Sequence, residues 1–277
     1  MARAAAAAKH LLDELRVPPG TPARLAKRPT DTRTGAASKA EAAPVVAGLL
    51  VELDALHDRL WAEAERSVLL VLQGMDSAGK DGAIRKVLTG LNPQGCHVAS
   101  FKAPSHGELA HDYLWRVHAE CPSRGKLGVF NRSHYEDVVA ALLIGAVTPA
   151  QCKQRFRHIQ EFERMLTDEG TTVVKVFLHI SKGEQRKRLQ TRIDDPAKRW
   201  KFDASDLETR KAWDEHAAAY ETAITETSTE HAPWYVVPAD HKWARDVAVA
   251  TLLVETFERL DPQIPEPDPA LEGLRIE

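Results

Sequence analysis

Nowhere in the 277 residues does an apolar run approach the roughly 20 residues that a helix needs to cross a bilayer, which argues against a membrane-spanning chain. Cysteine is scarce as well. Cys96, Cys121 and Cys152 are odd in number and too far apart for a Cys-x-x-Cys metal site, so a reducing cytoplasm is the expected compartment. Neither sign of charge is in excess: 37 Lys and Arg stand against 40 Asp and Glu, and a net charge of −3 argues against a general nucleic-acid binder. The N-terminal alanine run lacks the leucine-rich core and cleavage context of a secretory signal. With 43% hydrophobic and 28% charged residues, the chain has the composition of a soluble protein, long enough for one large α/β domain with appendages or for two small domains.

What is present is a buried strand that runs into a phosphate cradle. Val68 to Leu72 is apolar without alternation, the pattern of a strand covered on both faces, and it stops at Gln73-Gly74. Gly74 to Lys80 then fits G-x-x-x-x-G-K, and a helix with the apolar stripe Ile84, Val87, Leu88 and Leu91 follows. Between them, Gly74, Ser77, Ala78, Gly79 and Gly82 let backbone N–H groups wrap a phosphate in front of a helix N-terminus, while Lys80 adds a mobile charge. The Ser or Thr that usually follows the lysine is replaced by Asp81, and a further acid, Asp76, lies within the loop. Carboxylates beside bound phosphates repel them unless a cation lies between. Asp76 therefore reads as a magnesium-side residue, with Asp81 the weaker candidate.

Taken in order, residues 1–45 form an N-terminal arm with a short helix near Leu11 to Leu15, either extended over the main domain, mediating self-association, or disordered. Leu49, Leu53, Leu56 and Leu60 predict a long helix from Val45 to Glu65. A second strand is expected from His97 to Phe101, then a helix from about Glu108 to Ala119. Lys102 and Arg116 there are candidates for holding an acceptor phosphate, as well as for plain surface cations. The short strand Leu127–Phe130 ends in the polar run Asn131 to Asp137, placed where open α/β sheets bind ligands. Arg132 offers a bidentate fork to a phosphate there, and Glu136 and Asp137 lie one turn on. Thr148-Pro149-Ala150-Gln151 is a capping box, and Val173 to Ile180 the fourth strand.

The segment 182–211 is dense in cations, among them Arg188 and Arg192 one helical turn apart. Asp195-Pro196 breaks the helix before Lys198, Arg199 and Lys201, which predicts a cationic flap over a phosphate site. A helix from Asp206 to about Thr225 and a fifth strand at Trp234 to Val237 follow, with Asp240 expected to cap the last helix and a proline-rich tail at 262–277.

Gly74-Met75-Asp76-Ser77-Ala78-Gly79-Lys80-Asp81-Gly82, Phe130-Asn131-Arg132-Ser133-His134-Tyr135-Glu136-Asp137-Val138, His179-Ile180-Ser181-Lys182, Trp200-Lys201-Phe202 and Ala232 to Asp240 together resemble the type 2 polyphosphate kinases over about residues 60 to 260. The resemblance implies a P-loop kinase fold: an α/β three-layer sandwich with a five-stranded parallel sheet flanked by helices, spanning 46–261, with a helical lid at about 182–211. It also implies Mg2+, or Mn2+ in its place, and phosphate transfer between inorganic polyphosphate and adenine nucleotides in a homo-oligomer. Asp76, Lys80, Asn131 and Arg132 inherit the active-site roles, Glu136 positions the nucleotide or a second metal, and Arg188, Arg192, Lys198, Arg199 and Lys201 are the lid cations. The Lys-Asp-Gly ending of the loop and the Ser-His-Tyr-Glu run are similar to the subgroup that accepts both AMP and ADP. Two rivals stay open from the residues: an ATP-dependent nucleotide kinase of the thymidylate-kinase type, and a non-catalytic polyphosphate or nucleotide sensor.

Overall fold

Ser67–Gly74, every residue of which is buried, forms the middle of the sheet in a computed structural model that describes residues 10–276. The strands are β1 (Arg16–Val17), β2 (Ser67–Gly74), β3 (Cys96–Ser100), β4 (Leu127–Asn131), β5 (Thr171–His179) and β6 (Trp234–Pro238), in the spatial order β1-β6-β5-β2-β4-β3. The last five are mutually parallel, as expected. The sheet nevertheless has six strands, because β1 pairs antiparallel with β6 through Arg16↔Tyr235 and Val17↔Trp234. Two residues carry no periodicity of their own; what makes them a strand is the unpaired edge of β6, which they cover.

The longer helices are α1 (Lys39–Glu63), α2 (Lys80–Val87), α3 (Pro149–Asp168), α4 (Lys182–Asp194), α5 (Ser205–Lys211), α6 (Trp213–Thr227) and α7 (Lys242–Leu260). α1 and α2 pack on α7, whereas α3 packs on β5 and α6. α1 starts six residues earlier than the leucine spacing predicts, because Ser38 accepts from the Glu41 N–H and caps the helix ahead of Pro44. The expected helix from Glu108 to Ala119 is instead two short turns, His106–Leu109 and Trp115–Ala119. Asp112 separates them by accepting from the N–H groups of Leu114 and Trp115. The Thr148–Gln151 capping box forms. Asp240 does not cap α7: its carboxylate accepts from Ser181 N and Thr30 Oγ1, both at 2.8 Å, and ties the start of α4 to the N-terminal segment. Leu12, Leu15, Val17, Ala23 and Leu25 of that segment belong to the main core. Among the described residues, no helix is long and apolar enough to cross a membrane.

One polar cluster lies inside this core. Lys175, in the middle of β5 and fully buried, donates to Glu163 Oε2 (2.6 Å), Thr227 O (2.7 Å) and Tyr135 Oη (3.0 Å), which uses all three ammonium protons. Glu163 also accepts from Tyr135 Oη, and its Oε1 meets His134 Nε2 at 3.3 Å, so β5, α3 and the segment after β4 are pinned together. Burial pulls the Lys175 ammonium below its ordinary pKa, against the opposing pull of Glu163. Lys175→Met leaves the Glu163 carboxylate buried and uncompensated, so urea unfolding should record a loss of about 3–5 kcal/mol. A loss below about 1 kcal/mol would mean that water or a rearranged partner already carries that charge.

Candidate active site

Parallel register places the three polar segments side by side. Leu72 of β2 is level with Asn131 of β4, and Gly74 is level with Leu178 of β5. The P-loop, the Asn131–Asp137 segment and α4 therefore leave three adjacent strands at the same C-terminal edge, the position at which such sheets bind ligands.

The loop needs its glycines for two different reasons. A Cβ on Gly74 would sit 2.8 Å from the Leu178 carbonyl, and Gly79 turns at φ +103°, in the left-handed region. Ser77 holds φ 65° without being glycine, and its Oγ is buried with no hydrogen-bond partner in the protein. Lys80 Nζ donates to the Gly74 carbonyl at 2.8 Å and closes the loop on itself. Burial pushes its ammonium pKa down, and the Arg132 guanidinium adds to that shift.

Arg132, at φ 62°, spans two acids: Nη2 donates to Asp76 Oδ1 at 3.0 Å and Nη1 to Glu136 Oε2 at 3.4 Å. Asn131 Nδ2 donates to Asp81 Oδ1 at 2.9 Å, which joins the strand end to the start of α2. Gln73, from the sequence only the end of a strand, is fully buried behind Glu136 and Tyr220. The amide orientation that satisfies both its ends donates to Glu136 Oε1 (3.0 Å) and Tyr220 Oη (3.3 Å) and accepts from Ser133 N and Oγ. A glutamine closing a wholly apolar run was the available signal for it.

Gly74, Met75, Asp76, Arg132, Glu136 and Tyr220 line one end of a cleft of about 430 Å³. Val139, Leu143 and Ile144 form an apolar wall, and Thr209, Glu215 and His216 face it from α5 and α6. Another hollow, of about 470 Å³ around Trp115 and Phe162, has no lining residue in common with it. Among the described residues no three His, Cys, Asp or Glu come together as a metal site. Asp76 and Glu136, the two carboxylates joined by Arg132, are the residues here of the type that could hold a magnesium ion, which takes one or two carboxylates beside phosphate oxygens and water.

The remaining cations divide by exposure. Lys102, Lys198, Arg199 and Lys201 are exposed; Lys201 Nζ lies 5.1 Å from the centre of the exposed Trp200 ring. Arg192 is half-buried, bonded to Asp206 Oδ2 and Lys201 O. Arg116 and Arg188 depart from the sequence reading. Arg116 is buried over Phe101 and bonded to Lys102 O and Asp137. All five N–H donors of Arg188 are used, on Glu184, Ser77 O, Ala78 O, Ala239 O and Asp240 O. Arg188 therefore has no donor left for a phosphate in this arrangement, whereas Arg116 is buried and committed to a carbonyl and a carboxylate. Helical spacing placed Arg188 on α4 but not which way that face packs.

The family model described as polyphosphate kinase 2 (PPK2) matches residues 36–265. The chain is 53% identical over 249 residues to the AMP/ADP-polyphosphate phosphotransferase of Meiothermus ruber, covering 90% of this chain and 93% of that one. It is 44% identical over 269 residues to the ADP-polyphosphate phosphotransferase of Rhodopseudomonas palustris, covering 93% of each. The crystal structure of polyphosphate kinase 2 from Arthrobacter aurescens TC1 superposes with a TM-score of 0.90 at 41% identity, over 95% of this chain and 94% of that one. A family match across most of the sequence, two relatives covered nearly end to end, and a shared fold agree with the loop and the strand-end residues: the chain belongs to the polyphosphate kinase 2 family.

Proposed function

We propose that this protein transfers a phosphoryl group from inorganic polyphosphate to AMP and to ADP, giving ADP and ATP. The observation that carries the reading is Arg132 bridging Asp76 and Glu136 on the wall of a cleft that begins at the P-loop. The acceptor is already an anion: an oxygen of the nucleotide's terminal phosphate attacks the end phosphorus of the chain, the P–O bond to the next phosphate breaks, and polyphosphate leaves one unit shorter. No side chain has to remove a proton, so the work of the site is positioning and charge neutralisation.

The loop N–H groups and Lys80 hold the donor, Arg132 faces the group in transfer, and the apolar wall receives the nucleoside. Asp76 would hold Mg2+, or Mn2+ in its place, with Glu136 the second carboxylate, and the cation would supply positive charge to offset that of the phosphates. The lid, about 182–211, brings Lys198, Arg199 and Lys201 to the polyanion. The reading extends to a cytosolic homo-oligomer, which light scattering after size exclusion checks. The Meiothermus relative is named for both nucleotides, which supports acceptance of both here.

Polyphosphate with AMP, polyphosphate with ADP, and ATP with AMP, each with magnesium, are followed by chromatography. ADP and ATP should appear only where polyphosphate is present. Turnover confined to the ATP tube would replace the donor, and silence in all three would favour a sensor. A polyanion held by several cations is also salt-sensitive. The KM for polyphosphate should climb steeply between about 50 and 200 mM salt, and Lys198→Ala should flatten the log–log slope by about one. A slope equal to that of the parent would remove Lys198 from the contact.

A further inference from the structure

Behind the P-loop, α7 supplies a group that no motif in the loop accounts for. Arg245 is 3% exposed, and its Nη1 donates to the Gly79 carbonyl at 3.0 Å. Its Nε and Nη2 are held by Asp246 Oδ1 at 2.9 and 2.5 Å. Arg188 stands beside it, 8% exposed, donating to the carbonyls of Ser77 at 3.0 Å and Ala78 at 2.8 Å. Three consecutive loop carbonyls are thus taken by two buried guanidinium groups.

In a planar trans peptide the C=O of one residue and the N–H of the next point in opposite directions. The Ala78 carbonyl is fixed by Arg188, and the Gly79 carbonyl by Arg245 together with the Ala83 N–H of α2 at 3.0 Å, so the Gly79 and Lys80 N–H groups are fixed pointing away from the arginines. Among the described residues, neither N–H donates to a protein acceptor. The same guanidinium crowds Gly79, where a Cβ would lie 2.3 Å from Arg245 Nη1, and lies within contact distance of Gly82. Arg188 extends the brace outward, since its Nη2 also reaches Ala239 O and Asp240 O, at 2.6 and 3.0 Å, beyond β6.

We propose that Arg245, seconded by Arg188, is a positioning residue for phosphoryl transfer: it grips the loop from behind so that the Gly79 and Lys80 N–H groups face the donor phosphate. The planar fork is what the task requires, because one face of it holds Gly79 O while the other is anchored on Asp246. An ammonium at the same place has donors but no rigid plane to hold the two acceptors in a fixed relation. The inference rests on the P-loop being the phosphate cradle, and backbone exchange in the loop reads the brace whether or not turnover occurs.

Arg245→Met, Arg245→Lys and Asp246→Asn are compared with the parent full-length protein by kcat, by separate KM values for polyphosphate and ADP, and by amide hydrogen exchange of peptides spanning 74–82. The Met variant should lose roughly a hundredfold in kcat, the scale of a small misplacement of reacting groups, with the KM for ADP within about threefold. Its loop peptides should exchange faster while the central strands keep their protection. The Lys variant should recover little of the rate, and Asp246→Asn should fall between the Met variant and the parent. A folded Met variant with near-parental kcat and loop exchange overturns the proposal, and so does full recovery by lysine, which would reduce the role to charge alone. If the Met variant fails to fold, Asp246→Asn decides, with parental kcat and exchange counting against the brace. An inactive parent whose loop exchange still responds to these substitutions would sink the functional reading and leave the brace standing.

Discussion

Lys80→Ala is expected to lower the rate of nucleotide formation on the order of a hundredfold to a thousandfold, the scale found when one preorganised charge aimed at a transition state is removed. Lys80 Nζ rests on the Gly74 carbonyl, inside the loop and beside Arg132, in a place where burial lowers its ammonium pKa. A polyanion arriving there reverses that penalty, since the added negative charge favours the protonated lysine. The charge is therefore held where it gains most from the substrate. Initial rates at saturating polyphosphate and ADP, with the melting transition as a control for folding, measure the effect. A rate within a few-fold of the parent would remove Lys80 from the chemistry.

Asp76→Asn should be comparably damaging by another route. The amide keeps the size of the side chain and can still accept from Arg132, but it carries no charge with which to hold a divalent cation. At fixed magnesium the rate should fall about a hundredfold, and the magnesium concentration giving half the maximal rate should rise about tenfold or more. Titrating Mg2+ and Mn2+ against rate separates this from a loss of Arg132 positioning. An unchanged half-saturating metal concentration, with the rate still low, would assign Asp76 to orienting Arg132 alone.

Much of this site was legible because it is local. The P-loop, the Asn131-Arg132 pair and the five parallel strands are each declared by a short run of sequence, and register alone brings the runs together. What escaped was set by packing between distant segments. Arg188 and Arg245 are ordinary helix-face arginines by spacing, and only the approach of two helices to the back of one loop gives them their carbonyl partners. Nothing local in the sequence pairs Lys175 with Glu163, which lie on different elements. The one warning was a lysine in the middle of the otherwise apolar run Val173 to Leu178. Asp240 was read as a cap because it precedes a helix, but the N–H it serves belongs to Ser181 on the neighbouring strand's exit.

The two-residue strand β1 bears on the order in which the molecule is assembled. Val17 accepts from the Ser228 hydroxyl, 211 residues further along the chain, and its strand partner Trp234 comes later still. At about 5–20 residues per second, a ribosome needs on the order of ten seconds or more to deliver that partner. Throughout that interval Leu12, Leu15, Val17 and Leu25, all destined for the core, have no sheet edge to join. Closure of so long a loop belongs to the late steps of folding, since its entropy must be met before any contact returns it. The nascent N-terminal segment is therefore where a chaperone would find exposed apolar side chains on a chain otherwise nearly complete.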